Sequence, residues 1–419
     1  KNLGTIKVAD GVMATSTRVK NDEVPALAKH NYEKVTVLEE TATIYFTVNQ
    51  SNVRYSQKSS DEINRLKEFA KLGYQTKNIE ISSYASPEGS LDFNDKVSEN
   101  RSESTFNYAK KLMKKLKIEG ANNNKNYIKS SRGEDWAGFN NLVNSSNMKD
   151  KSKVLNIVRN QKDPQKREEA IRDMAEIYDA IEDDVLPKLR KATITLRVFE
   201  PKKNDEEIVS LVVDDPTKLD IKEMLYAATL IEDISLKETI YSSIIDLFPN
   251  DFRAYNNLAT LYINEKNINK AIDMLGKASK LKTNSSEVME NQGIIAAIQG
   301  DYSKAKSLYN RSNASTVNKG ILDIKMGNYS SASTKLRGND YNSTLAKLMN
   351  GDNPVATTDL TADGAYLNAI VYARNGDLDK SIRFLTKATQ MDTSYKKEAA
   401  KDFEFKTLSE NDRFKKLVN

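Results

Sequence analysis

The residues best suited to bind a charged ligand lie where a predicted strand runs through a short turn into a long helix. This stretch reads YASPEGSLDFNDKVSENR, from Tyr84 to Arg101. An arginine guanidinium binds a carboxylate through paired hydrogen bonds, and backbone N–H groups at the start of a helix favour anions. Arg101 has the chemistry to bind a carboxylate here, and Tyr84, Ser86 and Asn94 lie in the same stretch. The alternative is a structural arginine that ties the helix to the loop.

This chain lacks the residue types or motifs that most other kinds of functional site require. There is no cysteine, which excludes disulfides, thiol catalysis and cysteine-bound zinc, and the single histidine, His30, has no nearby histidine or cysteine with which to share a metal. The sequence also contains no GxSxG elbow, P-loop, HExxH pair or dinucleotide-binding glycine pattern. We predict that the protein is not an enzyme and that it holds neither a metal nor another cofactor.

Length and composition indicate a multidomain globular protein. The 419 residues suffice for two or three domains, and 38% hydrophobic with 29% charged residues is ordinary for a folded chain. A net charge of +5, from 64 basic and 59 acidic residues, does not suggest a nucleic-acid binder. No apolar stretch reaches the roughly 18 residues that span a bilayer. Because the sequence starts at Lys1 without methionine, we expect a processed or trimmed N-terminus, with membrane attachment only through a missing N-terminal anchor or a partner protein.

Hydrophobic patterning up to about residue 200 predicts an α+β module with the order β-α-β-α-β-β. Apolar residues alternate in the predicted strands and recur at helical spacing between Ser60 and Leu72, where Ser60 is a candidate N-cap. A helical insertion at about residues 134–188 separates the last two strands. The predicted strands are 43–48, 78–84, 127–130 and 192–199, and the long helix after the turn is 92–116.

This module resembles the OmpA C-terminal family, which binds peptidoglycan. The residues that match the family pattern are Gly89, Asn94, Val97, Ser98 and Arg101. The family's glycine, threonine and aspartate are replaced by Ser83, Ala85 and Ser86. The resemblance implies that Arg101 holds the free carboxylate of diaminopimelate, while Ser86 leaves only a weaker hydrogen bond for its ammonium group. The segments YASPEG, GEDWAGF and LPKLRKATITLRV further resemble a Bacteroidetes-type branch of the family.

Beyond about residue 217 the sequence repeats itself. Small residues at Ala259, Ala271 and Ala278 are spaced for the close approach of two antiparallel helices, and the spacing recurs 34 positions later, starting at Gly293. The pattern resembles tetratricopeptide repeats over about 200 residues, including a degenerate pair at 344–360. The resemblance implies an all-α superhelix whose concave surface binds a protein partner. The alternative is an array that only spaces or dimerises the protein.

The remaining segments complete the predicted domain organisation. Residues 1–40 are predicted to be a short β-rich remnant, because 5–8 and 34–38 look like strands and DGVMATSTRV resembles the tail of a β-sandwich module. An acidic stretch at 201–216, flanked by proline and lysine, is predicted to be a linker. The domains are then the remnant 1–40, the OmpA-like domain 41–200, the linker 201–216 and the repeats 217–419.

These observations together predict a non-catalytic scaffold or tether of the cell envelope. The OmpA-like module would contact peptidoglycan and the repeat array would bind a protein partner, which places the protein in the periplasm, associated with the outer membrane. The alternative is an assembly component of an outer-membrane protein complex that has lost peptidoglycan binding, as the replacement of the aspartate by Ser86 allows. A peptidoglycan-processing enzyme is disfavoured because the sequence offers no catalytic constellation.

Overall fold

The computed structural model describes residues 14–419, which form two compact units. The α/β unit is Glu33–Lys203, and the helical unit combines residues 14–32 with Asn204–Asn419. The N-terminal residues therefore belong with the helices, although the whole α/β unit separates them in sequence.

A four-stranded mixed sheet forms the framework of the α/β unit. The strands are β1 (Val37–Tyr45), β2 (Thr76–Ala85), β3 (Tyr127–Glu134) and β4 (Lys191–Phe199). They lie in the order β1-β4-β2-β3, with β2 and β3 parallel and the other neighbours antiparallel. Parallel neighbours need a crossover connection, and the long helix between β2 and β3 supplies it.

Helices pack on this sheet in the predicted order of elements. Those before β3 are α1 (Tyr55–Lys58), α2 (Asp61–Ala70) and α3 (Leu91–Lys115). Ser60 caps α2, since its side chain accepts a hydrogen bond from the Ile63 N–H, and Ile63 is fully buried. The first strand differs from its prediction, because the separate strands expected at 34–38 and 43–48 are one strand that ends at Tyr45.

Five helices lie between β3 and β4, where the sequence predicts a helical insertion. It consists of α4 (Trp136–Ser145), α5 (Lys151–Asn160), α6 (Pro164–Arg172), α7 (Ala175–Asp184) and α8 (Leu186–Leu189). The insertion has its own apolar cluster, which includes Phe139, Val143 and Val154. The Glu168 carboxylate on α6 accepts a hydrogen bond from the Gly89 N–H at 2.8 Å, so the insertion also holds the turn that precedes α3.

The helical unit is a succession of antiparallel helix pairs, as the sequence repeats predict. Its helices are α9 (Asp205–Asp214), α10 (Ile221–Leu230), α11 (Ile234–Leu247), α12 (Phe252–Asn264), α13 (Ile268–Leu281), α14 (Ser286–Ile298), α15 (Tyr302–Ser312), α16 (Thr316–Lys325), α17 (Tyr329–Lys335), α18 (Tyr341–Met349), α19 (Ala362–Arg374), α20 (Leu378–Met391), α21 (Ser394–Ala399) and α22 (Asp412–Val418). The pairs are α12/α13, α14/α15, α16/α17 and α19/α20. Among the helices of residues 14–419, none combines the length and the apolarity needed to cross a membrane.

Small residues let the paired helices approach one another, as predicted. Ala259 on α12 and both Ala271 and Ala278 on α13 are completely buried. In the next pair, Gly293 on α14 lies against the ring of Tyr309 on α15, and a Cβ at this glycine would come within 2.5 Å of Tyr309 Cε1. Because interiors are close-packed, the size of the side chain at these positions sets the distance between the helices.

The structure differs from the expected boundaries of the repeats in two places. The expected linker at 201–216 contains α9, which begins with a capping box and buries Ile208 and Val212 in the helical core. The expected helix pair at 344–360 is α18 followed by irregular chain. In place of a second helix, Thr357 pairs its main-chain N–H and C=O with the side chain of Asn368.

The expected N-terminal β remnant is a third difference. Residues 14–32 contain a 3-10 turn, Thr15–Arg18, followed by irregular backbone, and they lie with the helical unit. The strand expected at 5–8 falls outside the described residues. The second expected strand, 34–38, only overlaps the start of β1.

Alanine substitutions at two helical glycines test the packing of the repeats. Gly293→Ala should destabilise the helical unit by about 1–3 kcal/mol, because the new methyl group overlaps the Tyr309 ring. Gly276→Ala on α13 is the matched control: its Cβ would meet no atom within 4 Å, and the helix should gain about 0.5–1 kcal/mol. Urea unfolding measures both changes. A Gly293→Ala protein as stable as the parent would contradict the assigned repeat register.

Candidate functional site

Four helices of the helical unit carry a buried asparagine at the same place in the repeat. Each lies two residues before one of the small or short residues Ala259, Gly293, Gly320 and Thr344. The side chains are at most 4% exposed, so their polar groups need partners within the protein. We call them the asparagine ladder: Asn257 on α12, Asn291 on α14, Asn318 on α16 and Asn342 on α18.

The ladder binds the main chain of residues 14–32, which we call the N-terminal segment. Each carboxamide oxygen accepts a hydrogen bond from the N–H of one segment residue, and each carboxamide nitrogen donates to the C=O of the same residue. The N···O distances of these eight hydrogen bonds are 2.7–3.1 Å. The pairs are Asn257 with Ala28, Asn291 with Ala26, Asn318 with Val24, and Asn342 with Lys20.

This pairing reproduces what a neighbouring β-strand would offer. An asparagine side chain carries one amide donor group and one carbonyl acceptor, and alternate residues of an extended chain present both groups on the same side. Pro25, which has no N–H, lies between the bonded residues Val24 and Ala26 and restricts Val24 to extended backbone. The ladder therefore recognises an extended backbone without reading its side chains.

Further hydrogen bonds hold the ladder carboxamides in orientation. The Asn256 side chain donates to the Ala26 carbonyl at 2.9 Å and accepts from Asn291 Nδ2 at 3.0 Å. Asn318 Nδ2 also donates to the Glu290 carboxylate at 2.8 Å. With the segment bound, these contacts join neighbouring ladder residues into one hydrogen-bonded network.

Charged groups surround the beginning of the segment. The Arg18 guanidinium lies 3.9 Å from the centre of the Tyr366 ring and forms an ion pair with Glu398. Lys20 Nζ lies 2.6 Å from an Asp359 carboxylate oxygen. Burial alone would raise the pKa of the Asp359 carboxyl, but the hydrogen bond from Lys20 and those from Thr361 outweigh burial and lower it.

A buried ion pair and aromatic contacts hold the rest of the segment. Glu23 pairs with Lys325 on α16, and both side chains are almost completely buried. At the end of the segment, the Tyr32 ring stacks on Tyr226 at 4.8 Å and Arg253 donates to the His30 carbonyl at 3.1 Å. Burial and the charge of Arg253 lower the pKa of His30. Its Nδ1 accepts a hydrogen bond from the Tyr32 N–H at 2.9 Å.

The segment does not fill the surface that it crosses. A cleft of about 650 Å³ remains beside it, with Asn21 and Asp22 on one side and the apolar residues Ile263, Ile294 and Ile298 on the other. Val24 and Leu27 of the segment are 60% and 54% exposed. A partner that replaces the segment could therefore also place apolar side chains beside it.

In the α/β unit, the structure places the predicted carboxylate-binding arginine in the interior. Arg101 is 1% exposed, and its guanidinium donates to the main-chain carbonyls of Thr47, Gln50 and Tyr84 at 2.8–3.3 Å. Burial and the nearby charge of Arg190 lower the pKa of Arg101 to about 10. Each of its nitrogens has an acceptor within the chain, so a ligand carboxylate would have to displace a carbonyl. Ligand binding at Arg101 stays a prediction.

The other predicted site residues meet around Glu88. The Ser86 hydroxyl donates to the Glu88 carboxylate at 2.7 Å, and that carboxylate pairs with Arg190 at 2.9 Å. Asn94 donates to the Glu88 carbonyl at 3.0 Å and to the Glu134 carboxylate at 2.8 Å. Tyr84 contributes its main-chain carbonyl to Arg101. A carboxylate thus lies beside Ser86, although Glu88 is two residues further along the chain, and an arginine already neutralises it.

Sequence patterning missed the asparagine ladder and the segment that it binds. The signal was present, since asparagine precedes the small residue by two positions at Asn257, Asn291 and Asn318. Helical repeats are recognised by their small and large apolar residues. A polar residue that recurs in the pattern is therefore expected to face solvent. The partner of the ladder lies more than 200 residues away in sequence, where no local pattern reports it.

Comparison with known proteins agrees with the repeat pattern. Residues 240–273, from the middle of α11 to the start of α13, match the tetratricopeptide repeat family. No curated protein matches the chain. The helix pairs and the family match together show that the helical unit contains tetratricopeptide repeats.

Solved structures with helical repeats resemble the chain at low identity. A tetratricopeptide repeat protein from Parabacteroides merdae is 14% identical, with 51% of this chain and 91% of that chain covered and a TM-score of 0.34. YrrB, a TPR protein with an unusual peptide-binding site, is 15% identical, covering 42% and 88%, with a TM-score of 0.25. PilW, a type IV pilus biogenesis factor, is 13% identical, covering 52% and 100%, with a TM-score of 0.26.

Removal of one ladder residue should loosen the segment. Asn291→Ala leaves the Ala26 N–H without its acceptor, at a cost of about 1–3 kcal/mol. Trypsin should then cut within residues 18–29 faster than in the parent protein. Asn310→Ala, which changes an exposed asparagine on α15, is the control and should leave the cleavage rate unchanged. Equal cleavage rates for the two variants would contradict the role of the ladder.

Proposed function

We propose that the protein is a non-catalytic scaffold that binds an extended segment of a protein partner along the asparagine ladder. The observation that carries this proposal is the main-chain pairing between the ladder and the N-terminal segment. Such pairing serves any extended chain that presents N–H and C=O groups at alternate residues, as in β-strand addition. The tetratricopeptide repeats support the same role.

A cleavable form of the protein tests whether the ladder accepts a segment from another chain. A protease site is inserted between Tyr32 and Glu33, where the N-terminal segment ends and the α/β unit begins. After cleavage, a fluorescent peptide of residues 14–32 should exchange with the cut segment, and its anisotropy should rise. Uncut protein is the control, because its tethered segment competes at a high effective concentration and should exclude the peptide.

Two proline peptides test whether binding depends on the main chain. Ala26→Pro removes the N–H that donates to Asn291, whereas Leu27→Pro changes an exposed residue between two bonded ones. We expect the first peptide to bind about tenfold or more weakly than the parent peptide and the second to bind nearly as well. Equal affinity of the two proline peptides, or failure of the parent peptide to bind cut protein, would refute the proposal.

For the α/β unit we propose an OmpA-like module of an envelope protein located in the periplasm and associated with the outer membrane. The order of strands and helices and the positions of Asn94 and Arg101 on α3 after the YASPEG turn support this assignment. Contact with peptidoglycan would make the protein a tether between the cell wall and its partner. The bonding of Arg101 to three carbonyls favours the second role, that of an assembly component of an outer-membrane complex without wall binding.

Sedimentation with diaminopimelate-type peptidoglycan distinguishes these two roles. A tether should sediment weakly, and Ser86→Asp should strengthen sedimentation about ten- to a hundredfold by supplying the acid for the ammonium group. Ser56→Asp adds the same charge at an exposed residue of α1 and should have no effect. If neither the parent protein nor Ser86→Asp sediments while both remain folded, the assembly role replaces the tether.

A further inference from the structure

We propose that the groove along the ladder selects its occupant by the order of charged side chains. It accepts an extended segment that carries an arginine, a lysine two residues later and a carboxylate five residues after the arginine. In the N-terminal segment these residues are Arg18, Lys20 and Glu23. The inference rests on the proposed function, since it states which extended segments the scaffold would bind.

The arginine subsite encloses a guanidinium between rings and carboxylates. Arg18 lies 3.9 Å from the centre of the Tyr366 ring and 5.9 Å from that of Tyr395. It pairs with Glu398 and lies 3.9 Å from an Asp402 oxygen, and its own side chain is 9% exposed. A planar guanidinium satisfies ring stacking and carboxylate pairing together, which an ammonium group does less well.

The lysine subsite is smaller and more open. Lys20 Nζ lies 2.6 Å from Asp359 and 3.5 Å from Asp363, and 4.4 Å from the centre of the Tyr341 ring. Its side chain is 23% exposed, so solvent screens this pair more than the others. We expect the lysine to contribute less selectivity than the arginine.

The carboxylate subsite is the most selective of the three. Lys325 is 3% exposed and Glu23 is 1% exposed, so an occupant without a carboxylate would leave a buried ammonium group unpaired. The subsites also fix the direction of the segment. The two cation subsites are formed by α18, α19, α21 and the end of the loop before α19, whereas Lys325 lies on α16. A reversed segment would bring its carboxylate to the acidic end.

Charge-matched peptides in the exchange assay with cut protein test the selectivity. Glu23→Gln should weaken binding of the 14–32 peptide on the order of a hundredfold. Asp22→Asn removes the same charge from an exposed neighbour but keeps an oxygen that can accept the 3.4 Å hydrogen bond from Asn342 Nδ2, so it should change binding less than about threefold. Arg18→Gln should weaken binding at least about tenfold, and Lys29→Gln, at another exposed residue, should not.

A substitution at Lys325 tests whether the effect of Glu23→Gln comes from the lost ion pair or from a general loss of structure. Cut Lys325→Met protein should no longer prefer the parent peptide over the Glu23→Gln peptide, because no buried ammonium group remains to be paired. If the four charge variants bind alike while Ala26→Pro still binds weakly, the selectivity is refuted and the scaffold proposal stands. If Ala26→Pro and Leu27→Pro also bind alike, the scaffold proposal falls as well.

Discussion

Main-chain pairing between an extended segment and buried asparagine side chains is the interaction on which the helical unit depends. A carboxamide placed in the interior of a helical array is destabilising unless both its donor and its acceptor are used. The ladder residues meet this requirement with the N–H and C=O groups of Ala28, Ala26, Val24 and Lys20. In a vacant groove, each ladder asparagine would need water or another chain as its hydrogen-bond partner. The occupied groove thus explains why the residues before the α/β unit belong with the helices that follow it.

The spacing of the helices places the asparagine side chains where they can bind the segment. Small residues such as Ala259 and Gly293 allow the two helices of a repeat to approach, and the asparagine two positions earlier then lies at a fixed place in each repeat. Successive carboxamides from Asn257 to Asn318 match every second residue of the extended segment, and the step from Asn318 to Asn342 spans four residues. Side chains of the segment add selectivity only where charged partners are buried, as at Lys325. In the α/β unit, Arg101 makes comparable main-chain contacts, since its guanidinium joins two carbonyls of the loop after β1 to one carbonyl of β2.

Much of the fold could be predicted from sequence because long apolar periodicities report local structure. The cap at Ser60, the long helix α3, the helical insertion and the small-residue contacts at Ala271 and Ala278 all follow from patterns of fewer than 35 residues.

The errors arose where local appearance and tertiary context disagree. The acidic residues around α9 suggested a linker, although Ile208 and Val212 are spaced to bury one face of a helix. The N-terminal segment has no periodicity, and the ladder residues that bind it lie 229 to 322 positions away in sequence. For Arg101 the sequence left binding and structural roles open, because it does not specify main-chain acceptors, and the contacts to three carbonyls agree with the structural alternative.

Amide hydrogen exchange along the N-terminal segment of the unmodified protein tests whether the segment is paired with the ladder. The N–H groups of Val24, Ala26 and Ala28 donate to buried asparagine oxygens, so their exchange should be slowed together and strongly. Those of Glu23 and Leu27, which lie between the bonded positions, should exchange much faster. We expect this alternation of slow and fast amides in a stretch that contains neither helix nor strand. Uniformly fast exchange from Lys20 to Ala28 would contradict it, because the segment would then not be paired with the ladder.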